Sequence, residues 1–313
     1  MHIVVVGSGG VGGYFGAKLA KAGEHVTFLA RGAHLRAMRE NGLLVRSAQE
    51  GEWRVDAHAV DTLEGQAQAD LVLFCVKSYD TEEVAEIIRP VLGAGSAILS
   101  LQNGIDNEEK LGRAFTAEQV LGGVAYVFSH IEAPGIIAHQ QLGRIVFGEM
   151  GGAIPGRARA LADALTRASI PNEISNNIRK TLWEKYIFLT ALAGTTALAR
   201  LPVHFIRTIP ETRRLWQRQV EELLALAQSD GAGLDDDMLD RCVAFLESLA
   251  PSTYSSLYHD LIQGKRLELD ALHGHALRLG LRDNIPTPML FAVYAALRGH
   301  QAGMPAFPTG ILA

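Results

Sequence analysis

Short apolar runs alternate with helix-forming segments through the first half of the chain. The runs at residues 70–76 and 96–101 are almost continuously apolar, which is typical of parallel strands covered on both faces. Further strands are predicted at residues 2–6, 24–30, 43–46, 53–57, 120–129, 135–139 and 144–148, and helices at 32–40 and 81–89. This alternation predicts an α/β fold built on a doubly wound sheet.

Helical periodicity dominates after residue 155, where strand signals nearly vanish. Helices are predicted at residues 157–168, 177–198, 211–229, 235–250, 253–264, 267–279 and 287–299. The first of them can still cover the sheet, so we place the domain boundary between Ile170 and Pro171. We therefore expect a sheet domain at 1–170 and an all-helical domain at 171–313, the latter serving for substrate binding and dimerisation.

The composition narrows the classes of protein that fit this pattern. The 313 residues carry a net charge of −5 without a basic segment, so nucleic acid is not an expected partner. No apolar run is long enough for a membrane span, and the N-terminal run lacks a basic segment before it and is too short for a signal peptide. Cys75 and Cys242 form neither a disulfide framework nor zinc spacing. The aspartates at 235–237 precede a helix and are explained by capping. We expect a cytoplasmic protein without a metal site.

A glycine motif follows the first strand directly. Gly7, Gly9 and Gly12 have the G-x-G-x-x-G spacing between a strand and a helix, which is the dinucleotide-binding fingerprint. The first glycine permits a tight turn, the second allows close approach of a pyrophosphate, and the third allows the helix to pack on the strand. The alternative is a glycine-rich turn that binds nothing. The pattern predicts a Rossmann-type domain whose cofactor-binding residues include Gly7, Ser8, Gly9, Gly10, Val11 and Gly12.

The end of the second strand indicates which dinucleotide is bound. NAD sites usually place a carboxylate about 20 residues beyond the glycines, to bind the ribose 2′-OH. Here Arg31 stands at that point and no carboxylate follows before Glu40. A guanidinium can grip a 2′-phosphate with two hydrogen bonds, so we expect NADP(H). A solvated loop arginine is the alternative.

Three more residues have chemistry that suits such a site. Lys77 and Asn103 follow the strands at 70–76 and 96–101, at the edge where ligands of α/β sheets bind. Lys77 could donate to cofactor ribose or phosphate, and Asn103 could orient a nicotinamide or a substrate oxygen. Lys185 stands where a helix turns from amphipathic to wholly apolar, and partial desolvation suits a lysine for acid–base work. A loop lysine, a turn asparagine and a surface lysine beside Glu184 are the respective alternatives.

Taken together, these residues resemble the ketopantoate reductase (2-dehydropantoate 2-reductase) family over nearly the whole chain. The resemblance continues with the Leu-Trp-x-Lys segment ending at Lys185, the serine pair at Ser256, and Glu268 followed by Asp270 and Gly274. It implies a Rossmann domain followed by a helical domain, with the active site in the cleft between them. It further implies that Lys185 is the catalytic general acid, that Asn103 and Ser256 bind substrate, and that Asn103 and Glu268 lie at the cofactor.

One departure from the family pattern concerns the substrate. Ketopantoate-reducing members carry asparagines at the positions that correspond to Leu189, Ala193 and Val203, and these asparagines hydrogen-bond the substrate. Thr190, Thr195 and Thr196 are candidates to replace them. Such contacts discriminate strongly between substrates. Their loss therefore leaves the expected reaction type unchanged but does not allow the substrate to be identified.

The resemblance implies NADPH-dependent reduction of a small 2-oxo acid to the 2-hydroxy acid, as in pantothenate biosynthesis. Three alternatives stay open: the same chemistry on a more apolar 2-oxo acid, a different hydroxyacid or imine-forming dehydrogenase, and a non-catalytic NADP(H)-binding sensor. The oligomeric state is not determined by the sequence, and a homodimer is one expectation.

Overall fold

The computed structural model describes residues 1–152 and 156–305. Ten strands form one mixed sheet in the order β4-β3-β9-β8-β7-β6-β1-β2-β5, and β10 pairs with β9. The strands are β1 (His2–Val6), β2 (His25–Leu29), β3 (Leu43–Ser47), β4 (Gly51–Val55), β5 (His58–Val60), β6 (Leu71–Phe74), β7 (Ala97–Ser100), β8 (Val120–Ala133), β9 (Ile136–Glu149) and β10 (Asn172–Ile174).

Helices cover both faces of the sheet, as the unbroken apolar strands require. They are α1 (Gly10–Lys21), α2 (Gly32–Asn41), α3 (Thr81–Ile88), α4 (Asn107–Ala114) and α5 (Gly156–Arg167). On β1, Ile3 and Val5 pack with Phe15 of α1, while Val4 and Val6 join the core that contains Ile88 of α3. The α/β, doubly wound fold class is confirmed.

One predicted pair of strands is a single strand. The segments at 135–139 and 144–148 both belong to β9, which pairs antiparallel with β8 over almost its whole length. Leu142 and Gly143 have positive φ angles, and the pairing register shifts at this point. The prediction of two strands was wrong because a Gly-containing β-bulge has the same local sequence as a turn.

The second half is helical, as predicted. It contains α6 (Ile178–Ala199), α7 (Val203–Thr208), α8 (Pro210–Ser229), α9 (Met238–Ser248), α10 (Ser256–Ile262), α11 (His275–Asp283) and α12 (Pro288–Arg298). Helix α8 contacts α7, α9, α11 and α12, and its Trp216, Val220, Leu223 and Leu226 are fully buried. The predicted helix at 267–279 is instead a π-helical turn, Asp270–Gly274, that continues into α11.

The chain divides into two compact units, Met1–Leu182 and Trp183–Ala313, and the division falls inside α6. The first unit therefore includes β10 and the start of α6. The assignment of a cofactor domain to 1–170 and a substrate domain to 171–313 stays a prediction. Among the described residues, no helix combines the length and apolarity that a membrane crossing requires.

Gly12 provides a test of the helix–strand packing. A Cβ at this position would lie 2.4 Å from the Gly7 carbonyl oxygen and 3.0 Å from Val5 Cγ1, so backbone would have to move. We expect Gly12→Ala to lower the free energy of unfolding by about 1–3 kcal/mol in urea titrations, as overpacking does. Gly9→Ala is the matched control, because its Cβ meets nothing within 4 Å. Equal stability of the two variants would contradict this packing.

Candidate functional site

Parallel pairing aligns the ends of four adjacent strands. Leu29 of β2 pairs with Val6 of β1, Val6 with Phe74 of β6, and Phe74 with Ser100 of β7. The residues that follow this row all leave the sheet at one edge, which we call the carboxyl edge. The structure thus brings together Arg31, the glycine turn at 7–12, Lys77 and Asn103, as parallel α/β sheets do at their ligand sites.

The glycine turn has the geometry that its spacing predicts. Gly7 has φ +88°, and a Cβ there would lie 2.6 Å from the Val76 backbone nitrogen. Protein packing thus requires glycine at Gly7 and Gly12, whereas a side chain on Gly9 would point into open space. The first turn of α1 carries no acidic residue, so its free N–H groups and positive dipole end suit an anion.

Arg31 precedes α2 and is exposed. Its guanidinium forms no hydrogen bond or ion pair with the part of the chain that the structure describes, and the first turn of α2 has no acidic residue. An arginine without a carboxylate partner retains its donors for a ligand. A guanidinium of this kind can donate two parallel hydrogen bonds to a phosphate group.

Lys77 and Asn103 each lie three residues beyond the paired residues Phe74 and Ser100. Both side chains are half-buried, and both interact with other residues of the protein. The loops that carry this cationic group and this amide therefore follow adjacent strands at the same carboxyl edge. That combination suits recognition of ribose or phosphate oxygens and of a carboxamide.

A buried hydrogen-bond network holds the loops that carry these two residues. Gln102 Nε2 donates to the Val76 carbonyl oxygen at 3.1 Å and to Thr81 Oγ1 at 2.8 Å. Asn107 Nδ2 donates to the Asn103 carbonyl oxygen at 2.9 Å. These bonds tie the ends of β6 and β7 to the starts of α3 and α4. Sequence reasoning missed this network, although Gln102 next to Asn103 after an apolar strand is a recognisable polar pair.

Glu108 is a further buried group close to this edge in sequence. It lies in the first turn of α4 and is 5% exposed. Burial raises the pKa of its carboxyl group to about 7, helped by the nearby Asp106 carboxylate and opposed by hydrogen bonds from the backbone N–H groups of Glu108 and Gly123. The Glu108 carboxyl group is therefore less readily ionised than that of an exposed glutamate.

Lys185 lies in the second unit, on a part of α6 that is held firmly on both sides. Trp183 Nε1 donates to Asp230 Oδ2 at 2.9 Å, and the Tyr186 hydroxyl donates to the Leu272 carbonyl oxygen. Glu184 pairs with Arg241 at 2.9 Å. Lys185 itself is half-buried and interacts with other protein groups. These contacts fix the part of the α6 backbone that carries Lys185.

Ser256 and Glu268 lie at the starts of helical segments in the same unit. Ser256 is the exposed first residue of α10, whereas Ser255 is the buried N-cap, whose Oγ accepts from the Tyr258 N–H at 3.1 Å. Glu268 is 5% exposed and lies two residues before the π-helical turn. The structure therefore leaves the Ser256 hydroxyl at the surface and Glu268 enclosed. π-helical turns of this kind are frequent at functional sites.

The threonines proposed as replacement polar groups are mostly engaged elsewhere. The hydroxyls of Thr195 and Thr196 donate to the carbonyl oxygens of Ala191 and Leu192, each at 2.8 Å. Thr196 Oγ1 also lies 2.7 Å from Ser255 Oγ. Both hydroxyls are fully buried and already bonded within the helical unit, and their role as replacement polar groups stays a prediction.

Leu189 and Ala193 lie one and two turns beyond Lys185 on α6, and Val203 begins α7. Leu189 is half-buried, while Ala193 and Val203 are 1% and 0% exposed. The buried Thr190 hydroxyl has no hydrogen-bond partner among the described residues. Leu189, Ala193 and Val203 are apolar, and Thr190 next to Leu189 carries a hydroxyl that lacks a partner in the part of the chain that the structure describes.

A buried polar cluster supports this part of α6. Gln219 Nε2 of α8 donates to Thr195 Oγ1 at 2.9 Å, and Gln219 Oε1 lies 3.2 Å from His273 Nε2. Burial lowers the pKa of His273 to about 3, so the imidazole is neutral. A Cβ on Gly194 would lie 2.3 Å from His273 Nε2, so the helix can approach the imidazole only with glycine there. The cluster fixes α6 against α8 and the π-helical turn.

Comparison with known protein families identifies two matches along the chain. The family model described as "Ketopantoate reductase PanE/ApbA" matches residues 3–152, and "Ketopantoate reductase PanE/ApbA C terminal" matches residues 177–301. The first range contains the glycine turn, Arg31, Lys77 and Asn103. The second contains Lys185, Ser256 and Glu268.

Individual relatives extend over almost the same range. The "uncharacterized oxidoreductase YkpB" of Bacillus subtilis (strain 168) is 32% identical over 303 residues, covering 96% of this chain and 99% of the relative. The crystal structure of a PanE/ApbA family ketopantoate reductase from Ralstonia eutropha JMP134 has 32% identity and a TM-score of 0.89, covering 96% and 98% of the two chains. The structure of 2-dehydropantoate 2-reductase from Geobacter metallireducens GS-15 has 31% identity and a TM-score of 0.90, covering 95% and 99%.

Proposed function

Because this chain belongs to the ketopantoate reductase family of oxidoreductases, we propose that it is an NADPH-dependent reductase that converts a small 2-oxo acid to the 2-hydroxy acid. A role as the 2-dehydropantoate 2-reductase of pantothenate biosynthesis is the specific form of this proposal. The observation that carries it is the carboxyl edge, where a glycine turn, Arg31, Lys77 and Asn103 follow one row of paired residues.

The residues of the carboxyl edge fit the successive parts of NADPH. The turn at 7–12 and the N-terminus of α1 would hold the pyrophosphate, and Arg31 the 2′-phosphate. Lys77 would donate to ribose or phosphate oxygens, and Asn103 would bind the carboxamide and align the substrate. When bound, NADPH supplies the hydride that reduces the ketone carbon.

Residues of the second unit are proposed to act on the substrate. The Lys185 ammonium stabilises the negative charge that develops on the ketone oxygen and gives it a proton. The exposed Ser256 hydroxyl donates to a substrate oxygen, and the enclosed Glu268 orients the lysine or the cofactor. Each of these assignments is a proposal based on the family resemblance and on the burial of the three side chains.

A more apolar 2-oxo acid is a second candidate substrate. Leu189, Ala193 and Val203 replace the amides of the ketopantoate-reducing members, and the Thr195 and Thr196 hydroxyls are already bonded within α6. If a hydroxylated substrate were placed against these residues, its hydroxyl group would lose hydrogen bonds to water and gain none from the protein. This costs about 1–3 kcal/mol of binding free energy per hydroxyl group.

The cofactor preference tests the role of Arg31. Replacing Arg31 with alanine should weaken NADPH about 10- to 100-fold and change NADH little, because one charge-assisted phosphate contact is lost. Fluorescence titration of both cofactors measures this. Arg36→Ala is the matched control, since Arg36 is an exposed arginine on α2, the helix that Arg31 precedes, and forms no ion pair with a described residue. An unmutated protein that bound NADH more tightly than NADPH would refute the cofactor proposal.

The role of Lys185 is tested by its removal. Lys185→Ala should lower kcat about 10²- to 10⁴-fold and leave NADPH binding nearly unchanged, as loss of a general acid does. Lys180→Ala, five residues earlier on α6, is the control and should keep near-normal kcat. If Lys185→Ala retained the turnover of the Lys180 variant, Lys185 would be a surface lysine without a catalytic role.

A substrate panel decides between the two candidate substrates. NADPH oxidation should be measured with ketopantoate and with branched and aromatic 2-oxo acids. If Leu189, Ala193 and Val203 line the substrate site, an apolar 2-oxo acid should have the higher kcat/KM, since ketopantoate leaves its hydroxyl unpaired. A kcat/KM for ketopantoate of about 10⁴ M⁻¹s⁻¹ or more would refute this argument and support the pantothenate role. Binding of NADPH without oxidation by any acid would favour a sensor.

A further inference from the structure

His34 on α2 forms two hydrogen bonds that fix its protonation state. The Gly135 backbone N–H donates to His34 Nδ1 at 3.0 Å, so Nδ1 is an acceptor. The proton is then on Nε2, which donates to the Ser8 carbonyl oxygen at 2.9 Å. Both bonds require the same neutral tautomer. Burial holds the pKa of this imidazole below its ordinary value, which agrees with a neutral ring.

The Ser8 bond links two halves of the carboxyl edge. Ser8 lies inside the glycine turn, and its own hydroxyl donates to the Leu29 carbonyl oxygen at 2.8 Å. Leu29 and His34 flank Arg31 in sequence, so the segment that carries Arg31 is attached to Ser8 at both ends. The turn expected at the pyrophosphate and the arginine expected at the 2′-phosphate are therefore held in one hydrogen-bonded unit.

The Gly135 bond adds a third segment to this unit. Gly135 lies in the turn between β8 and β9, and its carbonyl oxygen accepts from the Leu44 N–H at 2.9 Å. A Cβ on Gly10 would lie 2.3 Å from the Ser129 carbonyl oxygen, so β8 also packs directly against the start of α1. The His34 imidazole thus accepts a hydrogen bond from the fixed Gly135 on one side and donates one to Ser8 of the glycine turn on the other.

We propose that His34 is a positioning residue that, through Ser8, holds Arg31 at the distance from the glycine turn at which one NADPH molecule engages both. This inference rests on the proposed cofactor. The pyrophosphate and the 2′-phosphate have a limited range of separations, so selection of NADPH over NADH requires the two protein segments to be held to within a fraction of an ångström. A residue that only stabilised the fold would affect both cofactors equally.

Two amide variants separate the two bonds of His34. In His34→Gln, the amide nitrogen occupies about the place of Nε2 and can still donate to the Ser8 carbonyl oxygen. In His34→Asn, the amide oxygen occupies about the place of Nδ1, so the Gly135 bond is kept and the Ser8 bond is lost. The pair has the same functional group and differs by one methylene.

Dissociation constants should be measured for NADPH, NADH and 2′,5′-ADP, a probe that carries the 2′-phosphate without nicotinamide. We expect His34→Asn to weaken NADPH and 2′,5′-ADP about 5- to 30-fold, the range for loss of a hydrogen bond that orders a charged contact. NADH should change less than about threefold, and His34→Gln should bind all three nearly as the unmutated protein does. Added to Arg31→Ala, His34→Asn should cause no further loss of NADPH affinity.

Equal weakening of NADPH and NADH in His34→Asn, or unchanged NADPH affinity, would overturn the role of His34 while leaving the cofactor proposal intact. Equal loss in the Gln and Asn variants would overturn the role of the Ser8 bond. An unmutated protein without NADPH preference would instead refute the cofactor proposal, and the role of His34 with it. Thermal unfolding of each variant confirms that a folded protein was titrated.

Discussion

The parallel register of β2, β1, β6 and β7 is the constraint on which every other feature of the candidate site depends. Because Leu29, Val6, Phe74 and Ser100 form one row, the loops that follow them start from the same edge. These strands are almost wholly buried on both faces, so a shift of register would displace apolar side chains from both cores. The packing of the two cores therefore also fixes the positions at which the strands end.

Hydrogen bonds outside the strands determine the positions of the loops at this edge. Gln102 and Asn107 hold the loops after β6 and β7, and His34 with Ser8 joins the loops after β1 and β2. Each of these bonds involves a backbone carbonyl oxygen at the end of a strand or in the turn that follows it. The polar groups nearest the proposed cofactor are thus oriented by Gln102, Asn107 and His34, which would not themselves need to touch it.

Much of this arrangement could be predicted from sequence, for physical reasons that differ between elements. Strand β1, the glycine turn and α1 could be predicted from the local sequence. The reason is that the turn at Gly7 and the close packing at Gly12 involve residues near them in sequence. The apolar runs of β6 and β7 predicted buried strands, and Lys77 and Asn103 followed from them. By contrast, β9 was divided into two because the bulge at Leu142 is maintained by pairing with β8, which no local pattern shows.

The contacts that the sequence did not reveal are long-range polar ones. Ser8 and His34 are 26 residues apart, and Gly135 lies 101 residues beyond His34. In the helical unit, the sequence made Thr195 a candidate replacement polar group, and it did not show that the hydroxyl is hydrogen-bonded to Ala191 and Gln219. The π-helical turn before α11 likewise depends on tertiary contacts such as that of His273 with Gln219. Periodicity predicts which faces are buried, and it does not predict which buried hydroxyls and imidazoles find partners.

A crystal structure of the protein with NADP⁺ bound tests the assignment of the carboxyl edge most directly. The predicted result is a pyrophosphate over the N-terminus of α1, contacting the turn at 7–12, with the 2′-phosphate within about 2.7–3.2 Å of the Arg31 guanidinium. A dinucleotide whose pyrophosphate lay away from that turn, or whose 2′-phosphate pointed away from Arg31, would contradict it.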